Sequence, residues 1–94
     1  MAANHQKVNV DTVTSGDQNR LKKNNGDTIT WDSGKNKKWL VVFDPKDSPF
    51  DDFFFHEGNK RADKIKVAPS SSKQYKYTVS VAGSAPVDPN VVIE

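Results

Sequence analysis

The amino-acid sequence predicts an all-β protein in which two sheets pack as a sandwich, and two observations lead to this prediction. Short runs of alternating apolar and polar residues occur along most of the chain, and this period of two is typical of strands with one buried face. Clusters of Gly, Asn, Asp, Ser and Pro separate the runs, as turns between short strands require. Such spacing favours a sandwich, here with about seven strands.

Four of the predicted strands have apolar residues at every second position. The clearest is the run 75–81, in which two Tyr and two Val alternate with Lys, Thr and Ser. Two further segments, 39–43 and 91–93, are apolar throughout, which indicates central strands or strands covered on both faces. A weak additional strand is expected around Leu21. The other three alternating strands contain Val8 and Val10, Ile29 and Trp31, and Ile65 and Val67.

A short helix is predicted at about 49–55, where the alternating pattern stops. Ser48 and Pro49 are residue types preferred at the N-cap and at the first helical position. Gly58 stands where a helix of this length would end. We expect this helix to lie across one edge of the sandwich.

The same segment contains four phenylalanines, which are expected to differ in burial. Phe50, Phe53 and Phe54 are spaced three and four residues apart, so a helix would place them on one face. A small sandwich needs bulky core material, and we expect these three rings to supply it. Phe55 points away from that face and is expected to be the most exposed of the four, which makes it a candidate partner-binding residue.

The chain has 94 residues, which is the size of a single domain. We expect residues 1–6 to form a disordered tail and residues 7–94 to form the domain. The formal net charge is +2. Because the chain has no cysteines, disulfides, thiolate metal sites and a cysteine nucleophile are excluded. Every apolar run is too short to span a membrane, and no membrane insertion is expected.

The N-terminal residues MAANHQK contain no apolar h-region, so no signal peptide is predicted from the residues given. Two interpretations of the location stay open. One is a cytoplasmic protein. The other is a periplasmic or secreted protein whose leader has been removed.

Metal and catalytic chemistry find little support in the residue types. The two histidines, His5 and His56, are not spaced as a zinc-protease helix requires. Five acids lie in the segment 44–57, but their spacing does not fit an EF-hand loop, and helix capping explains them better. No serine has a histidine at a triad-like spacing, so we expect no enzyme activity. Weak metal binding by His56 and the acidic segment 44–57 is kept as an alternative.

Basic and aromatic residues together raise the question of nucleic-acid binding, which the strand pattern does not favour. Lysines cluster within 35–38 and basic residues again within 60–66. The lysines in alternating strands fall on the polar face, where a solvated sheet places them, so no specific nucleic-acid binding is expected. Tyr75 and Tyr77 share the opposite face, which would suit a carbohydrate-binding module if it were open. Two valines of the same run continue that face and are expected to close it.

Five short motifs follow one another in an order that is also found in a known family. They are GDTITW from Gly26, KKWLVVF from Lys37, SPF from Ser48, YKYTVSV from Tyr75 and DPNVVIE from Asp88. This order resembles the cupredoxin-like family, the small Greek-key β-sandwiches related to blue copper proteins. The resemblance covers residues 7–94 and implies a Greek-key sandwich.

The resemblance also locates the positions that hold copper in metal-binding members of the family, where two histidines, a cysteine and a methionine are the ligands. The matching positions here are Trp39, Val79, Ala82 and Val87, and none of them carries a ligand. A blue copper site requires thiolate and imidazole ligands. The resemblance therefore implies a copper-free member without a cofactor, in which apolar side chains fill the former site.

The expected function is that of a non-catalytic binding or structural module. Its candidate contact surface is the end of the sandwich where copper lies in the family, with Trp39 at the centre and the loops 32–38 and 83–88 beside it. A basic rim of loop lysines around this residue would suit an acidic protein or an anionic polymer. A monomer is expected. The predicted partner-binding residues are Trp39, Lys35, Lys37, Lys38 and Phe55.

Overall fold

The computed structural model describes residues 4–22, 26–62, 65 and 73–94. These residues form eight strands and contain no helix. The predicted linker 70–72 and most of the predicted strand around Ile65 and Val67 lie outside the described residues. The strands are β1 (His5–Asn9), β2 (Gln18–Leu21), β3 (Thr28–Asp32), β4 (Trp39–Phe43), β5 (Phe54–His56), β6 (Arg61–Ala62), β7 (Lys73–Val81) and β8 (Asn90–Ile93).

The strands form two sheets that pack against each other. The smaller sheet has the order β1-β3-β6, with β1 parallel and β6 antiparallel to β3. The larger sheet has the order β2-β8-β7-β4-β5, in which β2 is parallel to β8 and the other neighbours are antiparallel. The predicted all-β, sandwich-like architecture is thus confirmed. The weak strand expected around Leu21 is β2.

The core between the sheets is centred on Trp31, whose side chain is completely buried. Its ring lies between 4.7 and 6.3 Å, centroid to centroid, from the rings of Phe43, Phe50, Phe55 and Tyr77. The indole Nε1–H donates a hydrogen bond to the Tyr77 hydroxyl at 3.2 Å. Because aromatic side chains bury large apolar areas and pair edge to face, this cluster is the centre of the hydrophobic core.

The helix predicted at 49–55 is absent, and a loop followed by the edge strand β5 takes its place. Ser48, the predicted N-cap, instead closes a local turn: its hydroxyl accepts from Phe50 N at 3.2 Å and donates to the carbonyl four residues ahead at 2.8 Å. The following backbone pairs with β4, beginning with Phe43 N donating to Phe53 O at 2.7 Å. This pairing uses backbone groups that a two-turn helix would leave unpaired at its ends.

The phenylalanines of this segment do not have the burial that a helix predicts. Phe55, which was expected to be exposed, is only 1% exposed because it lies opposite Val41 and faces the core. Phe54 and Phe53, which were expected to be buried, are 39% and 45% exposed. Only Phe50 has the burial predicted for it. The helical period therefore assigned three of the four rings to the wrong environment.

The two segments that are apolar throughout differ in their surroundings. Residues 91–93 of β8 are all buried, as predicted. In β4 every second residue is buried, whereas Leu40 and Val42 face away from the core and are exposed. Of the two alternatives predicted for this segment, the central strand is confirmed, because β4 lies between β7 and β5, whereas coverage on both faces is not found.

The chain enters the fold earlier than predicted. Residues 1–3 lie outside the described residues, but β1 begins at His5, within the segment predicted as a tail. Asn4 N donates to the buried Asp27 carboxylate at 2.8 Å, and Lys22 N donates to the same carboxylate at 2.8 Å. Asp27 therefore joins the start of β1 to the end of β2.

We expect alkaline pH to destabilise the fold through Tyr77. Burial raises the pKa of Tyr77 to about 12, because the phenolate would lose its hydration. The unfolded tyrosine ionises at about pH 10, so the free energy of unfolding should fall by about 2–3 kcal/mol as the pH rises from about 10 to about 12. Urea denaturation of the wild type and of Tyr77→Phe across this range checks the effect. An equal loss of stability in both proteins would contradict it.

Candidate functional site

The loop between β3 and β4 carries the predicted lysines, and Ser33 holds its shape. The Ser33 hydroxyl donates to the Asp11 carboxylate at 2.9 Å. It also accepts from Lys35 N at 3.3 Å and from Lys37 N at 3.1 Å. Asn36 has a left-handed backbone conformation with φ 56°, which asparagine tolerates better than most residues. The backbone of the loop is thus held in place while its lysine side chains extend from a defined turn.

Trp39 begins β4 directly after this loop and lines two clefts. Its side chain is only 3% exposed, so it forms part of a cleft wall and is not an exposed apolar centre. Its backbone N–H donates to Glu57 Oε1 at 3.1 Å. Its indole Nε1 is buried and has no hydrogen-bond partner among the described residues.

The first cleft is apolar and lies between the ends of β4 and β7. Its volume is about 410 Å³. The first and last residues of the paired strands meet here, since Trp39 lies opposite Val81 and Ala82 N donates to Lys38 O at 2.9 Å. An apolar side chain of a partner would be shielded from water in such a cleft. The lining residues are Lys38, Trp39, Leu40, Glu57, Ser80, Val81 and Ala82.

The second cleft is polar and lies on the loop side of Trp39. Its volume is about 310 Å³. It contains both carboxylates and ammonium groups, one pair of which, Lys60 Nζ and Asp32 Oδ2, lies 3.5 Å apart. Two clefts of opposite character therefore share Trp39 and Glu57. The lining residues are Asp32, Ser33, Asn36, Lys37, Trp39, Glu57 and Lys60.

At this end of the domain the carboxylates accept hydrogen bonds from the protein, whereas the loop lysines form no salt bridge with a described residue. Lys35, Lys37 and Lys38 form no salt bridge with any described residue. Their ammonium groups are therefore available to a partner, whereas the carboxylates are already bound within the domain. Asp11 accepts from Ser33 Oγ and Lys35 N, Asp32 accepts from Ser33 N and lies near Lys60, and Glu57 accepts from Trp39 N.

Phe55 does not belong to this surface. Its ring is buried 4.7 Å from the ring of Trp31 in the core. The pairing of β5 with β4 turns this side chain inward. It is therefore not accessible to a partner, contrary to the sequence-based expectation.

The four positions that the resemblance assigns to copper ligands lie on paired segments. Val79 pairs with Val87 in an antiparallel bridge, with Val79 N donating to Val87 O at 2.8 Å. Trp39 and Ala82 line the same apolar cleft. Within the described part of the chain, no group of three or more His, Cys, Asp or Glu side chains is placed to hold a metal ion.

The residues of the alternative metal site each form a hydrogen bond or salt bridge with a different group of the protein. His56 Nδ1 accepts a hydrogen bond from the backbone N–H two residues ahead at 3.1 Å. Asp47 Oδ1 pairs with Lys73 Nζ at 3.0 Å, and Asp52 Oδ2 accepts from Asn59 Nδ2 at 3.3 Å. These separate contacts give the alternative of weak metal binding no support.

The face of Tyr75 and Tyr77 is closed, as the sequence predicted. Both side chains are buried, and so are the valines that follow them in β7. A sugar ring stacks on an accessible aromatic face, so these tyrosines do not provide a carbohydrate-binding surface.

Three polar residues that shape the site were missed by sequence reasoning: Ser33, Asp11 and Glu57. The Ser-Gly pair at 33–34 signals a turn, but not the hydrogen bonds that the serine makes. Glu57 is 18 residues from Trp39 in sequence, and no local pattern connects the two.

Comparisons of this chain with protein-family models, with curated proteins and with solved structures each gave no match. The described residues include no helix that is long and apolar enough to cross a membrane. A function is therefore proposed from the geometry of the Trp39 end.

Proposed function

We propose that this chain is a non-catalytic, copper-free cupredoxin-like module that binds an acidic partner at the Trp39 end of the sandwich. The observation that carries this proposal is the apolar cleft of about 410 Å³ between β4 and β7, beside loop lysines that form no salt bridge with a described residue. A cleft with an apolar wall and a positively charged rim combines the two features that a protein interface uses, a buried centre and a polar periphery.

Binding uses the two features in different ways. An apolar side chain of the partner enters the cleft and loses its contact with water, which supplies affinity. Acidic residues on either side of that side chain are attracted by Lys35, Lys37 and Lys38. Since these lysines lie on the rim, they mainly raise the association rate, and their effect weakens with salt.

Ser33 prepares the loop for this contact. Because its hydroxyl holds the backbone of Lys35 and Lys37, the loop is ordered before the partner arrives. A preordered loop loses less conformational entropy on binding than a flexible one. Recognition by loops on a rigid scaffold is common among β-sandwiches.

The cupredoxin-like assignment and the Greek-key topology are part of this proposal. One feature supports them: the two packed sheets contain the motif segments of β3, β4, β7 and β8 as strands. The pairing of Val79 with Val87, and the shared cleft of Trp39 and Ala82, agree with the residue matches that the resemblance implies.

We expect a glutamate-rich peptide with one central leucine to bind more tightly than the same peptide with serine at that position. The leucine would fill the apolar cleft, and the glutamates would contact the lysines. Replacing both Lys35 and Lys37 by Glu should weaken binding roughly tenfold at low salt, and less at high salt. Fluorescence anisotropy of the labelled peptide measures both effects.

A matched control replaces two lysines elsewhere, Lys7 and Lys46, by Glu. This variant has the same net charge as the Lys35→Glu, Lys37→Glu protein but leaves the Trp39 end unchanged. Equal weakening in both variants would show that only net charge matters and would contradict a defined site. Equal affinity for the leucine and serine peptides would contradict the role of the cleft.

A further inference from the structure

The larger sheet carries an exposed apolar patch on the side opposite to the core. Leu40 is 42% exposed and Val42 is 37% exposed, and Phe54 lies opposite Val42 on the neighbouring strand β5. We call Leu40, Val42 and Phe54 the outer patch. Single exposed apolar residues are common on soluble proteins, but contiguous ones mark interaction surfaces.

Residues of opposite charge stand at the two ends of the outer patch along β4. Lys38 directly precedes β4 and Asp44 directly follows it, and continuing the alternation of the strand by one residue at each end would place both on the side of Leu40 and Val42. Both charged residues are exposed, and neither forms a salt bridge with a described residue. The Asp44 carboxylate accepts one hydrogen bond, from Lys46 N at 2.9 Å, through Oδ1. The outward side of this strand thus carries Lys, Leu, Val and Asp in a row about 20 Å long.

His56 of the neighbouring strand β5 has its backbone groups paired within the chain, and its ring lies beside the outer patch. His56 N donates to Asn59 O at 3.2 Å, and Asn59 N donates to His56 O at 2.9 Å. These bonds occupy the outward backbone groups of His56 and shorten the stretch of edge that is open to strand addition. The His56 ring lies 5.2 Å from the ring of Phe54 and extends the outer patch.

We propose that the outer patch is the interface of a homodimer in which two larger sheets pack face to face about a two-fold axis perpendicular to β4. Rotation about this axis reverses the strand. Lys38 then faces the partner subunit's Asp44, and Leu40 faces the partner subunit's Val42. On β5 the same rotation brings Phe54 against the partner subunit's His56. An isologous interface requires a self-complementary surface, and the charge order along β4 provides one.

A second copy fits the outer patch better than a partner of uniform charge. A basic partner would be repelled by Lys38 and an acidic partner by Asp44, whereas the reversed copy presents an opposite charge at both ends. The apolar area is small, so the dimer is a transient one that weakens with salt. This interface adjoins the Trp39 end and shares Lys38 and Leu40 with the apolar cleft there. The dimer differs from the monomer expected from the sequence.

Sedimentation equilibrium of the wild-type chain tests the dimer. The average mass should rise with concentration from 10.5 kDa towards twice that value. Val42→Asp should abolish association, and Leu40→Asp serves as a second variant should the first be poorly folded. Lys38→Glu and Asp44→Lys should each weaken association roughly tenfold, and combining them should restore it, because the swapped charges are again complementary.

Exposed charges away from the outer patch provide the control. Lys7→Glu, on the smaller sheet, and Asp51→Lys carry the same charge changes and should leave association unchanged. A wild-type chain that stays monomeric at every concentration would overturn the proposal. So would a dimer that tolerates both Val42→Asp and Leu40→Asp, since association would then use another surface. Failure of the charge swap to restore association would overturn the two-fold arrangement.

Discussion

Val79→Asp is expected to unfold most of the protein at room temperature. Val79 is buried in β7, opposite Val41 and bridged to Val87. A carboxylate at this position would lose its hydration without gaining a partner, which costs several kcal/mol. A domain of this size has about 5–10 kcal/mol of stability to lose. Circular dichroism and thermal melting measure the loss.

The neighbouring residue provides a matched control. Ser80 follows Val79 in β7 and is half-buried on the other face of the sheet. Ser80→Asp places the same charge one residue away but near solvent, and its melting temperature should stay close to that of the wild type. Similar melting temperatures for Val79→Asp and the wild type would mean that this stripe of β7 faces water.

Phe55→Ala is expected to cost about 3–5 kcal/mol, whereas Phe54→Ala should cost about 1 kcal/mol or less. The two residues are adjacent and chemically identical, so the comparison isolates burial. The Phe55 ring contacts the rings of Trp31, Phe43 and Phe50 in the core. Phe54 faces away from the core on the opposite side of β5.

Urea denaturation of both variants measures the difference. Phe53→Ala is an additional control, because this residue is exposed just before β5. A larger loss for Phe54→Ala than for Phe55→Ala would indicate that the segment packs as a helix, because a helix would bury Phe54 and expose Phe55.

The strands could be predicted because the alternation of apolar and polar residues is visible within each short segment of the sequence. In β7 the side chains alternate between core and surface, and a buried stripe of two Tyr and two Val leaves a regular pattern in the sequence. The same holds for Ile29 and Trp31 in β3, both of which are buried. The sequence did not show that two of the strand pairings are parallel, because pairing joins segments distant in the chain.

The helix was predicted wrongly because the seven residues 49–55 are too few to distinguish the period of a helix from that of a strand. Phe50, Phe53 and Phe54 fit a helical face, and the run 53–55 fits a strand equally well. Pairing with β4 decides between them, since it binds the backbone of the segment and turns Phe55 inward. Tertiary contacts of this kind leave no mark in the local sequence.

The site was predicted in part. The position of the loop lysines beside Trp39 follows from the order of residues 35–39. The clefts could not be foreseen, because they depend on where β4 meets β7 and on Glu57, which approaches from another hairpin. The exposure of Leu40 and Val42 was missed for a similar reason: the sequence does not say that the larger sheet is uncovered on this side.

The central claim is that a partner binds at the Trp39 end, and the most direct measurement is a map of backbone amide chemical shifts. The ¹⁵N-labelled chain is titrated with the leucine-containing glutamate-rich peptide at low and at moderate salt. We predict that the largest shifts occur at residues 35–40 and 80–82, and that they weaken with salt. Shifts confined to the opposite end of the sandwich, around residues 15–19, or the absence of any shift, would contradict the proposed site.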